Sequence, residues 1–148
     1  MQATFAFGSD MDEAAALAAV ADHRSPEDEG GTLDGSITLS SEGRAPVVLR
    51  DDLEFLVPSL CLVAPATLAA EGRVTVPMAS APRSVVLIRD GDAIRLQDRE
   101  GAELGQFPAA DLLAALHACA VRFTAFIGAL ADQFPDWRKL HESLLHHL

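Results

Sequence analysis

A long apolar periodicity near the C-terminal end constrains this chain more than any other feature. Large apolar side chains recur there at steps of three and four residues: Leu112, Leu116, Cys119, Phe123, Ile127, Leu130 and Phe134. This spacing places one apolar stripe along a single helix over residues 109–134. Pro108 can start that helix because the first turn does not use its missing N–H, and Pro135 prevents continuation past Phe134. The other elements must therefore cover this stripe.

A second amphipathic helix is predicted to begin near Asp136. It would place Trp137, Leu140, Leu144 and Leu148 on one face. The short join at Pro135 favours a fold in which this helix returns beside the long one.

The N-terminal third indicates a strand, a helix and a loop. Residues 3–7 alternate small or polar with aromatic side chains, as a strand would. Ser9 or Asp10 can cap an alanine-rich helix that runs to about Ala21, since Glu13 follows Asp10 by three residues. Residues 22–34 contain Pro26 and two glycines among five acidic residues. We expect an acidic flexible loop there.

The middle of the chain predicts a hairpin followed by short helices. Residues 35–41 and 46–50 are typical of two strands, and residues 42–45 supply the turn. Asp51 or Asp52 can cap a helical segment, but Pro58 and Pro65 argue against one continuous helix. We expect two short helical pieces, one on each side of Pro58, that end before Gly72.

Four further segments predict an antiparallel meander: 73–80, 84–89, 93–97 and 102–107. Pro77 suits an edge strand or a bulge, and Asp90-Gly91-Asp92 is a strong hairpin turn. At 148 residues the chain has the size of one domain. We therefore predict a single α+β domain over 1–148, with an antiparallel sheet of about five to six strands packed against the long C-terminal helix and the second C-terminal helix. One side of the meander should cover the stripe.

Charge restricts the classes of partner. Eleven Lys and Arg against 22 Asp and Glu give a formal charge of −11, which repels nucleic-acid phosphates and anionic lipid headgroups. A basic protein would be attracted, although an acidic balance is also a common solubility device. We expect a protein partner, no nucleic acid and no membrane.

The cysteines and the N-terminus bear on location. Cys61 and Cys119 lie inside apolar runs, which favours buried free thiols in a reducing compartment. The N-terminus has no basic region followed by an apolar one, and we expect no apolar run of membrane-spanning length. These features predict a cytoplasmic protein. The alternative is a Cys61–Cys119 disulfide in a periplasmic protein, which would require an export signal.

Motifs that would indicate catalysis or metal binding are missing from the sequence. There is no G-x-S-x-G elbow and no phosphate-binding glycine loop. His141 stands five and six residues before His146 and His147, which are poor spacings for ligands on one helix. The twelfth position counted from Asp90 is Gly101 and not the Glu of a calcium loop. We expect no enzyme activity, no metal and no cofactor.

One resemblance covers roughly the last two-thirds of the chain. The meander closes with Gln106-Phe107-Pro108-Ala109-Ala110-Asp111-Leu112-Leu113, and a long helix with Cys119 and Arg122-Phe123 follows. This arrangement resembles small bacterial immunity-type proteins, which are encoded beside polymorphic or secretion-system toxins. The resemblance implies an acidic α+β domain that blocks its cognate effector by tight binding, and it assigns no functional residue.

Two hypotheses of function follow. The first is an immunity protein that neutralises a basic toxin or effector domain through carboxylates in predicted loops. The second is a structural or chaperone-like adaptor that dimerises or holds a partner through an apolar helical face. The contact candidates for the first hypothesis are Glu27, Asp28, Glu29, Asp51, Asp52, Asp90, Asp92, Asp98 and Glu100.

Overall fold

Eight strands form two antiparallel sheets in a computed structural model that describes residues 1–28, 30–79 and 83–148. The first sheet has, in spatial order, β2 (Met11–Asp12), β1 (Gln2–Phe7), β3 (Asp34–Ser40) and β4 (Val47–Asp52). The second is a meander of β5 (Arg73–Pro77), β6 (Ser84–Asp90), β7 (Ala93–Asp98) and β8 (Glu103–Pro108). The strands thus occupy two sheets of four, where the sequence predicted one sheet of five to six.

Five α-helices complete the described part of the chain: α1 (Glu13–Ala21), α2 (Leu53–Val57), α3 (Ala64–Glu71), α4 (Ala109–Gln133) and α5 (Arg138–His147). A short 3-10 turn, Pro135–Trp137, joins α4 to α5. The α+β class and the two C-terminal helices are confirmed. The hairpin and the meander are also confirmed, although the predicted strand 73–80 ends at Pro77 and its last residue, Ser80, lies outside the described residues.

Helix α1 starts later than the sequence suggested. Met11 pairs with Phe7 across a short hairpin, so the chain is still extended where the helix was expected to begin. Asp12 and not Asp10 is the N-cap, and its Oδ1 accepts a hydrogen bond from the Ala15 N–H at 2.8 Å. The predicted cap was wrong because pairing with β1 holds this segment extended.

Pro58 does not separate two helices. A π-helical segment, Pro58–Val63, joins α2 to α3, so residues Leu53–Glu71 form one helical run of 19 residues. We call it the composite helix. Pro58 has helical angles, φ −62° and ψ −40°. In a π turn the hydrogen bonds run from i to i+5, and the wider turn relieves the clash between a proline ring and the carbonyl four residues before it. The expectation of two separate pieces was therefore wrong.

Helix α4 carries the buried stripe that its spacing predicted, and Leu112, Leu116, Cys119, Phe123, Ile127 and Leu130 are all 0% exposed. Its main partners are β1, α5 and the π-helical segment, while its contacts with β7 and β8 are fewer. The Phe5 and Phe123 rings cross edge to face at 5.2 Å. The first sheet therefore covers more of the stripe than the meander, contrary to expectation.

The two sheets share one core. Buried side chains from β1, β3, β6, β7 and α4 belong to a single contiguous cluster. At the edges of the sheets, a Cβ on Gly105 of β8 would come within 2.8 Å of the Val47 side chain of β4. Arg44 also donates a hydrogen bond to the Gln106 carbonyl. The β4 and β8 edges thus lie against each other.

Two helices, the composite helix and α4, are long and apolar enough to cross a membrane by length and composition. The expectation that no apolar run reaches this length was wrong, in the first case because the helix continues through Pro58. A helix that buries its apolar stripe in a core has the same length and composition. The cytoplasmic location stays a prediction.

Candidate binding surface

Carboxylates converge where the loop before β3 meets the end of β4. In the β3–β4 ladder Asp34 lies opposite Asp52. Glu54 follows in the first turn of α2, and its Oε1 accepts a hydrogen bond from the Leu33 N–H at 3.2 Å. The negative charge of Asp28 acts on both Asp52 and Glu54. We define the acidic cluster as Glu27, Asp28, Asp34, Asp52 and Glu54.

Hydrogen bonds position two members of this cluster, Asp28 within the loop and Glu27 against Trp137. Asp28 Oδ1 accepts from the N–H groups of Gly30 and Thr32, and its Oδ2 accepts from the Thr32 hydroxyl at 2.7 Å. These donors stabilise the carboxylate and hold the pKa of Asp28 below its usual value. Glu27 Oε1 accepts from the Trp137 indole N–H at 2.8 Å, which ties the loop to the 3-10 turn before α5.

The cluster carboxylates repel one another. Burial is the largest cause that raises the pKa of Asp52, and the charges of Asp51, Asp34 and Asp28 raise it further. Burial also raises the pKa of Glu54, followed by the charges of Asp52, Asp28 and Glu27. Ionised carboxylates held this close destabilise one another unless a positive charge approaches. The site is thus electrostatically suited to a basic side chain.

Asp51 lies beside the cluster but is enclosed by the fold. It is 5% exposed, and its carboxylate accepts hydrogen bonds from the Asp52 N–H at 2.8 Å and from the Ala79 N–H at 3.0 Å. The bond from Ala79 connects β4 to the segment that follows β5. In this arrangement Asp51 adds to the negative field of the cluster without presenting its carboxylate to a partner.

The remaining predicted contact residues lie on the meander, at opposite ends of β7. Asp90 and Asp92 flank the β6–β7 turn, where Asp90 lies 3.8 Å from the Arg95 guanidinium. Asp98 and Glu100 lie at the β7–β8 turn, and Asp98 Oδ1 accepts the Glu100 N–H at 2.9 Å. A strand of six residues separates the two turns by about 20 Å. Glu29 lies outside the described residues.

The cluster contains three of the nine predicted contact residues, Glu27, Asp28 and Asp52. Asp34 and Glu54 belong to the cluster but were not among the predicted contact residues. Their signal was present, because Asp34 closes the acidic segment 22–34 and Glu54 follows the Asp51-Asp52 pair. Their proximity depends on the β3–β4 register, which pairing across the sheet determines.

A second feature of this region is an apolar helix surface exposed to solvent. On the composite helix Phe55 is 65% exposed and Val63 is 55% exposed. The same side of the helix also carries Ser59, Ala66 and Ala70. With Phe55 and Val63 these residues follow one another at steps of four, four, three and four positions. We call these five residues the outer helix face. The opposite side of the helix is buried through Leu53, Leu56, Val57, Leu60, Cys61, Ala64 and Leu68.

Arg122 and the two cysteines have partners within the fold. The Arg122 guanidinium lies 2.8 Å from Glu13 and donates to the Ala3 carbonyl, so it links α4 to α1 and β1. Cys61 and Cys119 are buried free thiols in contact with each other, and this contact together with burial raises the pKa of Cys61. Within residues 1–28, 30–79 and 83–148, no group of three or more His, Cys, Asp or Glu side chains could hold a metal ion.

Comparison of the chain with protein-family models, with curated proteins and with solved structures gives no match. The functional assignment therefore depends on the surface described above.

Proposed function

We propose that this chain is a non-enzymatic acidic binding protein of immunity type, which neutralises a cognate toxin or effector by direct binding. The observation that carries this proposal is the acidic cluster at one end of the first sheet. Among the described residues, no ion pair involves a carboxylate of this cluster. The cluster therefore offers negative charge that a basic partner surface would neutralise.

The energetics of the cluster support a partner with concentrated positive charge. Asp52 and Glu54 ionise against burial and against their neighbours, so their charged forms cost free energy in the free protein. An Arg or Lys placed between them would remove part of that cost. The overall charge of −11 would also accelerate the encounter with a basic domain. Of the predicted contacts, Glu27, Asp28 and Asp52 belong to this surface.

Co-purification from the native host, at low and at high salt, tests this function. We expect a basic partner to be retained at low salt and weakened at high salt, because exposed charge pairs are screened. The product of the adjacent reading frame is the first candidate, since an immunity gene must be inherited with its toxin. Co-expression should then relieve the growth inhibition that this product causes alone. Absence of a basic partner at both ionic strengths would contradict the proposal.

The second candidate function is a structural or chaperone-like adaptor that dimerises or holds a partner through an apolar helical face. The exposure of Phe55 and Val63 on the outer helix face supports it. This function predicts a solution mass that exceeds 15.7 kDa by an integer factor. It also predicts that reversing the charge of the cluster leaves binding intact, whereas the immunity function requires that this change weaken binding.

A further inference from the structure

The outer helix face is an uncharged surface on an acidic protein. It extends from Phe55 to Ala70, a distance of about 22 Å along the helix axis. Between Arg50 and Arg73 the chain contains no Lys, Arg or His. Large exposed apolar side chains that line up on one helix are typical of interaction surfaces, whereas scattered ones are not.

This face is continuous with the acidic cluster. Phe55 directly follows Glu54, whose carboxylate lies among the charges of Asp52, Asp28 and Glu27. The surface thus has apolar side chains along the helix and carboxylates at its N-terminal end. A partner that covers both parts needs an apolar stripe and positive charge near one end of it.

We propose that the outer helix face and the acidic cluster form one docking surface for a basic amphipathic segment of the partner protein. This inference depends on the proposed function and specifies the chemistry of the partner. Apolar side chains of the segment pack on Phe55 and Val63, and its Lys or Arg residues lie against Asp52 and Glu54. Such docking buries the Phe55 ring, and buried aromatic anchors supply much of the affinity of an interface.

Charge favours this occupant over a second copy and over a membrane. Two copies of a chain that carries −11 repel each other, whereas a basic segment is attracted. Helices that lie on membrane surfaces carry Lys and Arg on their polar side, and the composite helix carries none. Its charged side chains are Glu54 and Glu71, which anionic headgroups repel.

Binding of a synthetic amphipathic helix of leucine and lysine, with the lysines concentrated towards one end, tests the inference. The control peptide has the same composition in an order that forms no apolar stripe. Fluorescence anisotropy should show tighter binding of the amphipathic peptide, and amide shifts should map to residues 52–70. Equal binding of both peptides, or shifts confined to the acidic cluster, would overturn the inference.

Acidic substitutions on the outer helix face separate apolar docking from charge attraction. Phe55→Asp and Val63→Asp make the surface more negative, so purely electrostatic binding would become tighter. Docking on the apolar face instead predicts weaker binding, by about tenfold or more for Phe55→Asp. Val121→Asp is the matched control, because Val121 is 45% exposed on α4 and belongs to neither the outer helix face nor the acidic cluster. Unchanged or tighter binding by Phe55→Asp would overturn the inference.

Four further outcomes show whether the inference, the proposed function or both fail. If Asp52→Asn with Glu54→Gln weakens binding of the native partner and Phe55→Asp does not, the inference fails and the proposed function stands. If neither variant weakens binding of the native partner, the inference and the proposed function both fail. Association of the chain with vesicles of phosphatidylcholine and phosphatidylglycerol, or a sedimentation mass above 15.7 kDa that Phe55→Asp abolishes, would assign the face to a membrane or to a second copy.

Discussion

Gly35 lies in β3 at a point where the fold has no room for a side chain. A Cβ there would meet the Ala6 carbonyl oxygen at 2.0 Å and a Leu53 methyl at 3.0 Å. Gly35→Ala should therefore lower the free energy of unfolding by about 2 to 4 kcal/mol, because backbone and core must both shift. Urea denaturation measures this change.

The control for Gly35 is Thr38→Ala on the same strand, where a partly exposed side chain is shortened. Its cost should stay below about 1 kcal/mol, the range of strand propensity. Equal costs for the two variants would contradict the close approach of β1 to Gly35.

The Glu54 carboxyl should make stability depend on pH. Its pKa is raised in the folded chain, chiefly by burial and then by Asp52, so the folded state holds the proton more tightly than the unfolded state. Stability is therefore greatest below the unfolded pKa and falls as pH rises through the folded value. Glu54→Gln, which keeps an acceptor for the Leu33 N–H, should raise the urea midpoint at neutral pH. This increase in the urea midpoint should shrink below pH 4.5, the ordinary glutamate pKa.

A double variant is the control for this pH effect. In an Asp52→Asn background one of the repelling charges is already removed, so the gain from Glu54→Gln at neutral pH should be smaller. A gain that grows on acidification, or one that is unaffected by the Asp52 change, would contradict repulsion within the cluster.

At the scale of elements, Arg122 connects α4 to two neighbours. It pairs with Glu13 of α1 at 2.8 Å and donates to the Ala3 carbonyl of β1. Arg122→Gln should lower the free energy of unfolding by about 1 kcal/mol, since it removes a partly exposed ion pair and a backbone hydrogen bond. Thermal or urea unfolding measures it.

Arg24→Gln provides the comparison for Arg122. The Arg24–Asp22 pair is 3.6 Å long, with both side chains about 70% exposed, so its removal should change stability by less than about 0.5 kcal/mol. If Arg24→Gln lowered the free energy of unfolding as much as Arg122→Gln, the stability lost in Arg122→Gln could not be attributed to the connection of α4 to α1 and β1.

The elements differ in how far the sequence predicts them. Helix α4 follows from the sequence because its stripe repeats without interruption and prolines bound it on both sides. The composite helix does not follow, because the rule that proline ends a helix assumes α-helical hydrogen bonds. A π-helical segment at Pro58 changes the register. The fold class was predictable from local patterns, whereas the continuity of this helix, whose π-helical segment contacts α4, was not.

At the scale of the whole molecule, the sequence predicts the total charge but not its arrangement. Asp34 and Asp52 are 18 positions apart in the sequence and become neighbours through the β3–β4 register. Asp51 is next to Asp52 in sequence but faces inward, because side chains alternate along a strand. The exposure of Phe55 also depends on packing, since Leu53, Leu56 and Val57 already fill the buried side of the helix.

The central claim is that the local arrangement of charge, rather than total charge, recognises the partner. The most direct test is the association rate with the adjacent reading frame's product, measured over a range of ionic strength. Asp52→Asn with Glu54→Gln should slow association about tenfold at low salt and flatten its salt dependence. Asp90→Asn with Asp98→Asn removes the same formal charge from the meander turns and should leave the rate within about twofold. Equal slowing by both pairs would contradict the claim.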